Sequence, residues 1–107
     1  MSYDFGMKAD LGNGKIYLNY EKNYTYNISP MFYEAFGEPG INFIREKTGK
    51  ECLVKLKKGL SEMKNNREMY EAMNPDNGWG CYEGAIEVIE TLIKWAKESP
   101  LAEFYVE

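Results

Sequence analysis

The segment NPDNGWGCYEG, residues 74–84, gathers Asn74, Asp76, Asn77, Trp79, Tyr82 and Glu83 just ahead of an apolar helical pattern. Two kinds of chemistry are open to such a set. Asp76 and Glu83 are carboxylates, and a carboxylate pair can run a hydrolysis or an elimination when one member has a raised pKa. Asparagine amides beside flat rings make a binding rim instead. Asn74 and Asn77 then donate and accept hydrogen bonds, while Trp79 and Tyr82 offer walls to a planar group. A second segment, NYTYNISPMF at 23–32, repeats the theme. In an extended chain Asn23, Thr25 and Asn27 share one side and Tyr24, Tyr26 and Ile28 the other.

Each segment also has a purely structural account. Asp76 or Asn77 can cap the helix that follows, Gly78 and Gly80 permit unusual backbone angles, and Trp79 can lock the loop onto the core. Glu83 falls in a first helical turn, where acidic residues are favoured in any case. Ser29 can cap a helix of its own. The start of the helix after residue 81 would favour an anionic group such as a phosphate. Cys81 lies beside it, but a nucleophilic thiol needs a base and the chain has no histidine.

That absence removes Ser-His-Asp and Cys-His catalysis and every histidine metal site. There is no P-loop, no G-x-G-x-x-G and no dense acidic cluster for calcium or magnesium, so no cofactor is implied. The formal charge of -4 and the lack of a long basic block argue against nucleic acid, since Lys55, Lys57 and Lys58 read as a solvated helix face. Cys52 and Cys81 have no C-x-x-C spacing and read as buried or half-buried thiols in a reducing compartment. No apolar run reaches the roughly 18 residues of a membrane span, and MSYDFGMKAD has no signal-peptide pattern. A cytoplasmic location is expected.

The elements that must position these residues follow from periodicity. At 107 residues the chain suits one domain. Tyr3, Phe5, Met7 and Ala9 alternate with polar neighbours, which predicts a strand. Asn13-Gly14 predicts a hairpin turn, with Ile16, Leu18 and Tyr20 alternating in the returning strand. Asn23–Ile28 can continue the sheet. A two-turn helix should follow from SPMF to Gly37, then a turn at EPGINF, then a helix from about Gly49 to Lys64 opened by a Thr48–Glu51 capping box. Cys52, Leu56, Leu60 and Met63 draw its apolar stripe. REMYEAM predicts a short helix ended before Pro75. Tyr82, Ala85, Ile86, Ile89, Leu92, Ile93 and Ala96 give the best-defined helical face, and Ala102, Phe104 and Val106 predict a final strand. The expected fold is α+β, a small antiparallel sheet made by the hairpin and the last strand, covered on one face by three to four helices.

NYTYNISPMFYEAFG followed by MNPDNGWGCYEGAIEVIETLI resembles a group of small, uncharacterised bacteriophage and prophage proteins that share N-Y-T-x-N-x-S-P-M and N-P-x-N-G-W-G-x-Y-E-G-A segments. The likeness runs from Asn23 to the final strand. It brings no activity, but it implies an accessory role of the kind that binds a host protein or host molecule, including a role against a defence system. The leading expectation is a non-enzymatic binding module. It would engage a host protein or a small polar, nucleotide-like ligand through Asn23, Tyr24, Thr25, Asn27, Asn74, Asn77, Trp79, Tyr82 and Glu83, if the two segments meet at one end of the sheet. A carboxylate-dependent hydrolase or lyase using Asp76 and Glu83 is the second reading, and a homodimer built on the two segments is the third.

Overall fold

The computed structural model describes residues 2–107. Strand β1 (Ser2–Asp10) is its organising element, because every other strand pairs with it antiparallel. Tyr3, Phe5 and Met7 are buried on one face of β1, as the two-residue period predicts. Strand β4 (Glu103–Val106) pairs Val106 with Phe5 and Glu103 with Lys8. On the other edge, β2 (Lys15–Tyr17) pairs Tyr17 with Lys8, and β3 (Lys22–Thr25) pairs Lys22 with Phe5 and Thr25 with Ser2. Phe5 and Lys8 thus each have β4 on one side, so β2 and β3 share the opposite edge as two halves of one interrupted strand.

The interruption corrects the expected strand through Tyr20. Leu18 N–H still donates to the Met7 carbonyl at 2.8 Å, and Lys22 faces Phe5, so Asn19, Tyr20 and Glu21 stand opposite Gly6 alone. Tyr20 leaves the ladder for better partners: its ring lies 5.2 Å from that of Trp95 and its hydroxyl 2.8 Å from Ser99 Oγ. In the hairpin loop the positive backbone angles fall on Gly12 and Gly14 rather than on Asn13, and Asp10 Oδ1 accepts from Gly12 N–H at 2.8 Å. The strand reading of 23–28 also ends early. Tyr26–Ile28 is a 3-10 turn, because Thr25 Oγ1 accepts from Asn27 N–H and bends the chain.

Helix α1 (Ser29–Phe36) has Pro30 in its first turn and stops at Gly37, whose φ is 73°. Ser29 lies inside this helix and not at its cap. Residues Gly40–Ile44, read as a turn, form a buried 3-10 segment. Helix α2 (Gly49–Asn65) opens with the expected capping box, Thr48 Oγ1 accepting from Glu51 N–H and Glu51 Oε1 from Thr48 N–H. It buries Cys52, Leu56, Gly59 and Met63, with Leu60 only half-buried. Gly59 takes the place expected for Leu60 because a Cβ there would lie 2.1 Å from the Phe36 ring. Helix α3 (Arg67–Glu71) is short. Helix α4 (Tyr82–Glu98) buries the predicted face except Ile86, which is half-buried, adds Val88 and Trp95, and packs along α2. The fold is α+β, with the helices covering the face of the sheet that carries Tyr3, Phe5, Met7 and Phe104.

Both cysteines are free: Cys52 is buried, which pushes its thiol up to about 11, and Cys81 is half-buried. Among the described residues no helix is long and apolar enough to cross a membrane.

Two carboxyls are held below the usual carboxylate range, Glu51 by hydrogen bonding to the Thr48 backbone and Glu87 by its hydrogen bond to Lys22 Nζ at 2.6 Å. A depressed folded pKa stabilises above the unfolded value near 4.5, and that contribution is lost as pH falls through the lowered value. The melting temperature should therefore decline on acidification below about pH 4.5. Glu51→Gln, which keeps the box but cannot titrate, should make that decline shallower in thermal melts across pH.

Candidate functional site

Tyr24 joins the two segments. It faces Tyr3 across the β1–β3 pair and so projects, like Tyr3, towards the helices. Its hydroxyl accepts from Cys81 N–H at 3.1 Å and lies 3.9 Å from Cys81 Sγ. Burial raises the Tyr24 phenol above its ordinary value. Two glycines let this contact form. A Cβ on Gly84 would lie 1.8 Å from the Tyr24 hydroxyl, and one on Gly80 would lie 2.5 Å from Thr25 Cγ2 and 2.9 Å from Ile28 Cγ2. Residues 57 positions apart are thus interlocked at one end of the sheet.

The loop between α3 and α4 doubles back on itself. Asn74 Oδ1 accepts from Tyr82 N–H at 2.8 Å, satisfying a donor of the α4 first turn from eight residues away. Cys81 occupies the cap position and makes no side-chain capping bond. The cap expected of Asp76 or Asn77 is therefore supplied by Asn74. Asn77 Oδ1 instead accepts from Trp79 N–H at 2.9 Å, an Asx turn that Gly78, at φ 75°, completes. Asn74→Ala should cost about 1 kcal/mol and lower the melting temperature by roughly 5 °C, read by calorimetry or circular dichroism.

The remaining candidates separate. Tyr82 is 3% exposed, donates from its hydroxyl to the Met63 carbonyl at 2.9 Å, and carries the Arg67 guanidinium 5.2 Å from its ring centroid. It belongs to the α2–α4 packing. Glu83 is exposed and accepts from Arg67 Nη2 at 2.9 Å, while Arg67 Nε donates to Glu71 at 2.9 Å. The Asp76 side chain makes no hydrogen bond or ion pair among the described residues. Asp76 and Glu83 are not engaged with one another, and no group of three histidine, cysteine or acidic residues is placed to hold a metal among the described residues.

What the structure brings together is an open groove of about 710 Å³. Asn23, Tyr24, Thr25 and Asn27 line it with Ser2 on one side; Asn77, Gly78, Trp79 and Gly80 line the other. Among the described residues its lining holds no lysine, arginine, aspartate or glutamate. Asn23 Nδ2 is committed to β1, donating to Ser2 Oγ, the Tyr3 carbonyl and Asp4 Oδ1 at 3.1, 3.1 and 2.7 Å. Asn27 Nδ2 donates to Thr25 Oγ1 at 3.2 Å. Trp79 stands at the rim, 66% exposed, although the loop beneath it is fastened on both sides. A second cavity of about 520 Å³ opens beside the hairpin loop, near Leu11, Lys15 and Leu101, and contains none of the candidates.

Sequence reasoning missed Ser2, which the antiparallel register puts opposite Thr25, and the fit of Gly80 and Gly84 around Tyr24 and Thr25. The first could be found from hairpin register. The second has no local signal. Comparison with protein-family models, with curated proteins and with solved structures returns no match to this chain.

Proposed function

We propose that this protein is a non-enzymatic binding module that captures a small polar ligand in the groove between β3 and the 77–80 loop. The observation that carries this reading is the exposed Trp79 on an otherwise tied-down loop. A loop built only for packing would turn its largest ring inward, as Tyr82 three residues later is turned. A rigid, exposed aromatic wall beside amide side chains lowers the ordering cost of binding. Glu83 engaged by Arg67, with no pairing to Asp76, favours capture over carboxylate catalysis. Together with the resemblance to phage proteins, capture fits an accessory role that withholds a host molecule from a host process.

Titrating labelled protein with the small-molecule fraction of a cell extract tests this by nuclear magnetic resonance. Shifts confined to the Trp79 indole and the side-chain amides of Asn23, Asn27 and Asn77 are expected. Shifts centred on Glu83 and Arg67, or no shift at the groove, would overturn the reading.

A further inference from the structure

Resting on that reading, we infer that the groove takes an uncharged nucleobase-type heterocycle, free or as a nucleoside, and makes no use of a phosphate. The wall is Trp79, open on one side, and stacking of a base on such a ring is worth roughly five- to hundredfold in affinity. The edge readers are amides whose remaining capacity is set by the bonds they already make. Asn77 spends Oδ1 on the Trp79 N–H and keeps its Nδ2 donor. Asn27 spends Nδ2 on Thr25 and keeps its Oδ1 acceptor, and Asn23, with Nδ2 committed to β1, also keeps Oδ1. A donor from one side of the groove and acceptors from the other match the adjoining donors and acceptors of a base edge. Because these amides are already fastened, they suit the fixed in-plane edge of a heterocycle better than the rotatable hydroxyls of a sugar.

The groove offers a phosphate little charge complementarity among the described residues. Among the described residues no cationic side chain lines the groove. Two donors at the start of α4, which would otherwise serve an anion, are consumed: Cys81 N–H by the Tyr24 hydroxyl and Tyr82 N–H by Asn74 Oδ1. Of the neighbouring carboxylates, Asp4 is bonded to Asn23, and Glu83, outside the groove, is paired with Arg67. The expectation that this helix start attracts a phosphate is replaced by one of indifference.

Trp95 is 7% exposed, so quenching of tryptophan emission by an added ligand reports Trp79. The protein is titrated with adenosine, guanosine, cytidine and uridine, with their 5′-monophosphates, and with maltose and N-acetylglucosamine, at low and high salt. At least one nucleoside should quench to saturation with no salt dependence, and its monophosphate should bind no tighter. Asn77→Asp, which keeps the acceptor for Trp79 N–H and removes the donor, should weaken that nucleoside at least fivefold. A monophosphate tenfold tighter than its nucleoside, or affinity that falls with salt, overturns the inference. So does the absence of saturable quenching by any nucleoside. Saturable binding of a saccharide alone, lost in Trp79→Ala, would overturn the ligand class and leave the binding module standing. Nucleoside binding that a calorimetric titration finds unchanged in Trp79→Ala would remove both.

Discussion

Gly84→Ala should destabilise the protein by about 2 kcal/mol and lower its melting temperature by roughly 10 °C, against the direction that helix propensity alone predicts. In an exposed helix the change would gain up to about 1 kcal/mol. Here the new methyl would lie 1.8 Å from the Tyr24 hydroxyl and 2.2 Å from Cζ, at the end of the ring that bonds Cys81. Tyr24 must withdraw, and Cys81 N–H then loses its acceptor. A double-mutant cycle isolates the cause. With Tyr24→Ala already in place, Gly84→Ala should be neutral or stabilising, a non-additivity confined to residues in contact. If Gly84→Ala costs the same in both backgrounds, the interlock between the two segments is not what holds the groove.

Trp79→Ala should do the opposite: little to stability, much to binding. Because the side chain is mostly exposed, truncation should change stability by no more than about 0.5 kcal/mol, a melting shift of at most roughly 4 °C. A stacked ring in a binding groove is worth about 1–3 kcal/mol, so affinity for the groove ligand should fall about tenfold or more. Calorimetric melting and a binding titration on the same sample separate the two. A loss of cooperative unfolding in this variant would return Trp79 to a packing role.

Much of the scaffold could be read from local pattern. Tyr3, Phe5 and Met7, the Thr48–Glu51 box and the α4 face are short-range signals, and each element formed where its period predicted. What local pattern could not supply were the choices made by distant partners. Tyr20 leaves its strand for Trp95 and Ser99, far along the chain. Asn74 caps α4 across eight residues in place of the nearer Asp76 and Asn77. Tyr82 reads as a recognition ring by composition, yet its position in the first turn of α4 points it at Met63. Trp79, three residues earlier, is held outward by the Asx turn of Asn77. Two rings in one motif thus have opposite fates, and only the path of the backbone decides which is which.

The most direct test of capture is native mass spectrometry of the protein purified from cells, run beside Trp79→Ala. A discrete added mass is expected on the wild-type chain, released on denaturation and absent from the variant. The same bare mass for both proteins, persisting after incubation with a small-molecule extract, would contradict capture.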